Sequence, residues 1–204
     1  MSLKKNQLRA ILNSSLGKLA DHIIDSQSIS ICKQVVELPE WKRCKNVCLY
    51  MNMPKKEVRT RCLIDVAFKE GKNVFIPKCI GSHVMEMYQV FEKTESLTIN
   101  KWGIAEPNGE SRKIMDDETD CELIIVPGVA FDEKLSRLGH GKGYYDNYIS
   151  KYQSWALQKE SRANMFKVGI CLKEQILPNR EIPMDTRDQK LDALVTPEKV
   201  IRNI

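Results

Sequence analysis

Residues 123–128 read LIIVPG, and shortly after them residues 139–143 read GHGKG. Four consecutive apolar residues followed by Pro-Gly predict a buried strand. Tyrosine and isoleucine at positions 144, 145, 148, 149 and 152 recur with helical spacing, so a helix is expected directly after the glycines. In this order of strand, glycine loop and helix, free backbone N–H groups and the positive end of the helix dipole point at one spot. Such a spot suits a phosphate. Lys142 adds an ammonium; the alternative is a surface turn of glycines with a solvated lysine.

The glycine spacing differs from two common nucleotide motifs. The phosphate loop GxxxxGK[ST] is absent, and so is the GxGxxG of dinucleotide-binding folds. A phosphate site in this chain therefore has to be argued from the loop itself.

The flanking sequence predicts an α/β protein, with a mainly parallel sheet covered by helices. Strands at 47–51 and 73–77 enclose a helical pattern that Gly71 ends, and strand–helix–strand order implies parallel strands. The other predicted elements are helices at 3–15 and 21–38 and strands at 85–90, 166–172 and 191–196. Ligands of such sheets collect beyond the carboxyl ends of the strands, so the loop at 51–57 and the glycine loop are expected to converge there.

Composition narrows the function classes. The 204 residues are 42% apolar and 29% charged, as in ordinary globular proteins, and they predict one domain over residues 1–204. No apolar run approaches the ~20 residues that cross a bilayer. The net charge of +5 favours anionic small molecules, while no Lys/Arg block or RNA-binding signature is present. We expect neither a membrane nor a nucleic acid as a partner.

Seven cysteines are scattered along the chain without a CxxC pair. Cys44 and Cys48 lack the histidine pair that would complete a zinc site. Several cysteines lie in apolar segments, where a thiol behaves as a small hydrophobe. This pattern is typical of a reducing compartment, and we expect no structural disulfide.

The N-terminal segment is basic, with Lys4, Lys5, Arg9 and Lys18 and no acidic residue before Asp21. Such a composition is typical of mitochondrial transit peptides. The segment also continues smoothly into the next helix, so we favour a retained segment and a cytoplasmic protein, with a mitochondrial location as the alternative.

For three further features of the sequence, the residues alone allow two explanations each. Trp102, in a turn-rich segment, is either core or a stacking wall for a flat ligand. Glu57 by itself would be a surface carboxylate in most proteins. Asp185, Asp188 and Asp192 precede the last predicted strand, where acids usually form turns and where one could bind Mg²⁺ beside a phosphate.

The runs 127–132 and 137–146, PGVAFD and RLGHGKGYYD, closely resemble the 5-formyltetrahydrofolate cyclo-ligase (methenyltetrahydrofolate synthetase) family. Weaker matches follow the family's order over nearly the whole chain: Lys5-x-x-x-Arg9, Tyr50 to Met53 with Glu57, Val74 to Lys78, Trp102-Gly103-Ile104-x-x-Pro107, Lys173 to Ile176, and Asp188-x-x-x-Asp192. The resemblance implies a single three-layer domain similar to sugar-phosphate isomerases and CoA transferases. It also implies a monomer that uses ATP and Mg²⁺ to close 5-formyltetrahydrofolate, with or without a polyglutamate tail, into 5,10-methenyltetrahydrofolate.

The same resemblance implies roles for individual residues. The ATP-binding set would be Lys5, Arg9, Arg137, Leu138, Gly139, His140, Gly141, Lys142, Gly143, Tyr144 and Tyr145, with Lys142 and Arg137 as the catalytic pair. The substrate-binding set would be Met51, Glu57, Trp102, His140 and Tyr144, and the metal ligands Asp146 and Asp192.

His140 departs from relatives that carry arginine at this position. A neutral imidazole lacks the fixed charge of a guanidinium, which leaves the role of this side chain open. Two other functions fit a similar sheet: a sugar-phosphate isomerase or transferase that needs no ATP, and a non-catalytic nucleotide- or folate-binding module.

Overall fold

The central apolar run forms a strand in the middle of a seven-stranded sheet. The computed structural model describes residues 5–91, 97–116, 119–159, 164–177 and 182–202. The sheet strands are β1 (Asn46–Cys48), β2 (Asn73–Cys79), β3 (Met85–Val90), β6 (Leu123–Val126), β9 (Phe166–Ile170), β10 (Ala193–Val195) and β11 (Val200–Arg202). Two small hairpins pair β4 (Thr98–Ile99) with β5 (Ala105–Glu106) and β7 (Ala130–Phe131) with β8 (Arg137–Leu138). The sheet order is β11-β10-β9-β6-β1-β2-β3, and every pair is parallel except those of the edge strands β3 and β11.

Helices cover both faces of the sheet. They are α1 (Lys5–Leu16), α2 (Asp21–Val36), α3 (Pro39–Arg43), α4 (Arg61–Lys69) and α5 (Tyr144–Leu157). Leu123 and Ile125 of β6 pack on the side of α2, α3 and α4, whereas Ile124 and Val126 pack on the side of α5. Because both faces are buried, the strand is apolar at every position rather than at alternate ones. This three-layer arrangement confirms the predicted fold class, and no helix in the described ranges is long and apolar enough to span a membrane.

The order of the parallel strands reverses between β1 and β6. From β1 the chain adds β2 on one side, and from β6 it adds β9 and β10 on the other. Such a switch point leaves a crevice at the carboxyl ends of the two strands, because the connections leave in opposite directions. Tyr50 and Met51 follow β1 at this edge, and Pro127 follows β6.

Local differences from the predicted elements have local causes. Pro39 ends the pattern of α2 as expected, but it also begins the short helix α3, because its missing N–H and fixed φ suit a first helical turn. Strand β11 was not predicted, since three residues at a sheet edge carry little pattern. Residues 3 and 4 of the predicted first helix and residues 178–181 of the proline-rich stretch lie outside the described ranges.

One cysteine expectation is wrong. Cys32 of α2 and Cys62 of α4 form a disulfide with Cα atoms 6.4 Å apart, although 30 positions separate them in the sequence. The two helices cover the same face of the sheet, and this packing, rather than any spacing motif, brings the sulfur atoms together. The other five cysteines are free.

Candidate active site

A cavity of about 720 Å³ opens at the carboxyl edge of the sheet, next to the switch point. Its walls come from α1, the loop after β1, the tips of the β2–β3 and β4–β5 hairpins, the glycine loop with the start of α5, and residues 185–188. The structure brings every predicted ATP- and substrate-binding residue to this cavity: Lys5, Arg9, Met51, Glu57, Trp102, Arg137, Leu138, Gly139, His140, Gly141, Lys142, Gly143, Tyr144 and Tyr145. The two loops that sequence reasoning expected to converge do meet here.

The glycine loop presents unused backbone donors. Gly141 and Gly143 have φ values of 99° and 69°, which non-glycine residues rarely adopt. Arg9 Nε donates to the carbonyl of Gly139 at 2.8 Å, so α1 holds the loop from one side. Within the described ranges, no hydrogen bond uses the N–H groups of residues 140–143. Free amides at the start of a helix form a site suited to an anion.

Arg137 lies directly under this loop. Its Nη2 donates to Asp146 Oδ1 at 2.7 Å, and the side chain is only 4% exposed. A Cβ on Gly139 would lie 2.6 Å from Arg137 Nη1, so only glycine leaves room for the guanidinium. Arg137 Nε is buried and has no partner in the described part of the chain. The Arg137 guanidinium is therefore a fixed positive charge beneath the free amides, with one donor still unused by the described residues.

Lys5 reaches the same end of the cavity from α1. Its Nζ lies 3.0 Å from Asp185 Oδ2 and also contacts Asp188 Oδ2. Burial by itself would lower the pKa of Lys5, but the hydrogen bonds that Lys5 donates to Asp188 and Asp185, together with their negative charges, outweigh it and leave this pKa raised. The pKa of Asp185 is lowered by the N–H of Arg187 and by Lys5. The ammonium is thus held in place by two carboxylates.

The two predicted metal ligands lie at different places. Asp192 immediately precedes β10, and its Oδ2 lies 2.8 Å from the Nζ of Lys167 at the start of β9. The amino ends of these strands face away from the cavity, because the cavity occupies the carboxyl edge. The structure therefore does not bring Asp192 to Asp146.

Asp146 does line the cavity. Its Oδ1 accepts hydrogen bonds from Arg137 and from the N–H of Gln189, while its Oδ2 has no partner among the described residues. Asp188, next to Gln189, is a second acid in the cavity wall. No group of three His, Cys, Asp or Glu side chains that could hold a metal by themselves occurs in the described ranges.

Glu57, from the loop after β1, also lines the cavity and reaches the glycine loop. It is buried, its Oε2 accepts the N–H of Met53 at 2.8 Å, and its Oε1 lies 3.4 Å from His140 Nε2. Burial, followed by the charge of Glu57, raises the pKa of both Tyr50 and Tyr145. Glu57 is therefore a positioned acceptor rather than a mobile surface carboxylate.

Trp102 is part of the cavity wall and not of the core. It lies between β4 and β5, is 49% exposed, and has Lys101 Nζ 4.6 Å from its ring centroid. A Cβ on Gly103 would lie 3.2 Å from Pro54, which shows that this hairpin tip rests on the loop after β1. Trp102 and Glu57 consequently border the same end of the cavity.

The family model described as "5-formyltetrahydrofolate cyclo-ligase family" matches residues 1–197. The chain belongs to this family. It is 31% identical over 195 residues to a probable 5-formyltetrahydrofolate cyclo-ligase of Caenorhabditis elegans, covering 94% of this chain and 91% of that protein. A cyclo-ligase of Arabidopsis thaliana named as mitochondrial is 30% identical over 97% of this chain and 76% of its own length.

Solved structures agree with this membership. The 5,10-methenyltetrahydrofolate synthetase of Aquifex aeolicus is 32% identical, with a TM-score of 0.78 over 98% of this chain and 93% of that chain. A synthetase from Mycoplasma pneumoniae is 22% identical with a TM-score of 0.70, which shows the shared fold.

Several cavity residues of this cyclo-ligase family member were not predicted. Cys79, His83 and Glu106 line the cavity together with Asp188. The first three come from segments whose strand and turn patterns carried no sign of a ligand. Asp188 belongs to the group of three acids before β10. The sequence alone does not show that Asp188 reaches the cavity while Asp192 does not, because this difference depends on the direction of the strands.

Proposed function

We propose that this chain is an ATP-dependent 5-formyltetrahydrofolate cyclo-ligase, which forms 5,10-methenyltetrahydrofolate with release of ADP and phosphate. Family membership supports the reaction. The observation that carries it in the structure is one cavity lined both by a glycine loop with free amides and Lys142 and by buried Glu57 with Trp102. A sugar-phosphate isomerase would have no flat ring to stack on Trp102.

The first step would occur at the glycine loop. A formamide oxygen is a poor leaving group, so it attacks the γ-phosphorus of ATP, ADP departs, and an iminium phosphate forms on the folate. Phosphoryl transfer is catalysed mainly by positioning and by charge neutralisation. The amides of residues 140–143 and the ammonium of Lys142 would hold the phosphates, with Arg137 beneath them and with Lys5 and Arg9 contributed by α1.

The second step would occur on the folate in the same cavity. The folate N10 attacks the carbon of the iminium phosphate, the new C–N bond closes the ring, and the phosphate leaves with the proton that N10 gives up. Glu57 would accept hydrogen bonds from pterin N–H groups, and Trp102 would stack on the ring. Met51, Tyr144 and His140, which also line the cavity, would contact the folate.

Mg²⁺ fits the acids at the nucleotide end. This ion usually takes one or two carboxylates and completes its shell with water and substrate phosphates. Asp146, through its unpaired Oδ2, and Asp188 would hold it, and it would neutralise charge on the transferred phosphate. A site completed by the substrate agrees with the lack of a three-ligand protein cluster in the described ranges.

Further properties of the ligase are part of the same proposal. It would act as a monomer on folates with or without a polyglutamate tail, and it would need no nucleic acid or membrane. We favour a cytoplasmic location because Lys5 and Arg9 of the basic N-terminal segment line the cavity, and the basic composition of that segment keeps a mitochondrial location as the alternative.

The test is formation of the methenyl product, followed by its absorbance, together with release of phosphate. Both should require ATP and 5-formyltetrahydrofolate together. Turnover without ATP would indicate an isomerase or transferase, and binding without turnover would indicate a binding module. Lys142→Ala should reduce turnover by ~10²-fold or more, whereas Lys33→Ala, on the exposed side of α2, should leave it unchanged. An unaffected Lys142→Ala rate would remove this lysine from the mechanism.

A further inference from the structure

The tip of the β2–β3 hairpin, residues 80–84, rests against the glycine loop and α5. Tyr144 Oη donates to the carbonyl of Gly81 at 3.0 Å, and Asn147 Nδ2 donates to the carbonyl of His83 at 3.2 Å. These two bonds fix the tip against the first turn of α5. They place the side chain of His83 at the cavity wall, next to the loop.

His83 contacts the backbone of the loop itself. Its Nδ1 lies 2.8 Å from the carbonyl oxygen of Lys142. A carbonyl can only accept, so Nδ1 carries a proton and donates it. In a trans peptide the C=O of one residue and the N–H of the next point in opposite directions. The bond that turns the Lys142 carbonyl toward His83 therefore turns the Gly143 N–H away from the hairpin.

The other end of the loop is held in the same manner. Arg9 donates to the carbonyl of Gly139, which turns the N–H of His140 away from Arg9. Between these anchors lies Gly141, a glycine with positive φ whose backbone is otherwise little restrained. Two anchored carbonyls thus determine where the free amides of the loop point.

We propose that His83 is a positioning residue of the nucleotide site, which orients the Lys142–Gly143 peptide so that the loop is shaped for phosphate before ATP arrives. The inference rests on the proposed function, because it takes ATP as the ligand of the loop. An ordered loop binds its ligand more tightly, since less conformational freedom is lost on binding. His83 acts through a main-chain carbonyl and need not touch the nucleotide.

Two conservative substitutions separate this role from a direct contact. The amide nitrogen of Asn can occupy the place of imidazole Nδ1, whereas the longer Gln places its amide near Nε2. ATP affinity is measured by titration without folate, and the Michaelis constants are measured separately for both substrates. His83→Ala and His83→Gln should weaken ATP binding about 3- to 10-fold, the range of one neutral hydrogen bond. His83→Asn should restore it to within about twofold, and the Michaelis constant for the folate should stay within about twofold in all three.

His22→Ala is the matched control, because His22 is an exposed histidine on α2 that does not line the cavity. It should bind ATP like the wild type, and thermal unfolding should show all variants folded. Unchanged ATP affinity in His83→Ala overturns the proposal. Rescue by Gln instead of Asn also overturns it, because the hydrogen bond would then come from Nε2. An equal rise in the Michaelis constants for ATP and for the folate overturns it as well. A wild-type chain that binds ATP without forming the methenyl product would refute the ligase function and leave the result on His83 standing.

Discussion

Gly141→Ala tests whether the backbone shape of the glycine loop creates the nucleotide site. Gly141 has φ of 99°, and an added Cβ would lie 3.5 Å from Arg9 Cζ, an ordinary contact. The substitution therefore introduces no clash, and its cost comes from the backbone. A non-glycine residue in such a conformation costs about 1–3 kcal/mol. The exposed loop can relieve this strain only by changing φ, which moves the free amides.

The strain can be converted into an expected loss of affinity. If all of it opposes ATP binding, 1–3 kcal/mol corresponds to an increase of about 5- to 160-fold in the Michaelis constant for ATP. Gly71→Ala provides the comparison: Gly71 has φ of 71° at the end of α4, with no atom within 4 Å of an added Cβ. It should destabilise the fold by about 1–2 kcal/mol and leave the constant for ATP unchanged.

The measurements are the rate of methenyl formation at varied ATP and urea unfolding of both variants. A Gly141→Ala enzyme with the wild-type Michaelis constant for ATP would refute the view that the loop amides bind the nucleotide. An equal rise of the Michaelis constant for ATP in Gly71→Ala would show that the loss of ATP affinity comes from general strain in the fold rather than from a change in the glycine loop.

Three other predictions concern stability and the thiols. Arg202 donates to both carboxylate oxygens of Glu40 at 3.0 and 2.8 Å and lowers the pKa of Glu40. Since the folded pKa is below the unfolded value of 4.5, this stabilisation is complete above pH 4.5 and is lost as the pH falls through the folded value. Because the Arg202 side chain is 38% exposed and solvent screens the pair, Glu40→Gln should lower the free energy of unfolding by only about 1 kcal/mol at pH 7. A loss that persists unchanged in acid would contradict the pairing. Burial raises the pKa of the Cys79 thiol in the cavity, so its alkylation should quicken with rising pH and slow when both substrates are bound; no protection would place the ligands elsewhere. Alkylation of the unfolded chain should label five thiols without reductant and two more after reduction, and seven labelled at once would exclude the Cys32–Cys62 bond.

Features determined by neighbouring residues could be predicted from the sequence. The run at 123–126 is apolar throughout, so it predicted a buried strand, and the structure places it at the centre of the sheet with both faces covered. The alternate glycines and the helical spacing after Tyr144 predicted a loop at a helix start. In both cases the physical cause acts within a few residues along the chain.

Only the tertiary structure decided which distant residues share the cavity. Asp188 and Asp192 are four positions apart and chemically alike, yet the direction of β10 leaves one in the cavity wall and the other beside Lys167. His83 reaches Lys142 across 59 positions because the β2–β3 hairpin tip meets the start of α5. Strand order and helix packing set these distances, and no local pattern contains them, because they depend on which surfaces are buried against each other once the whole sheet has formed.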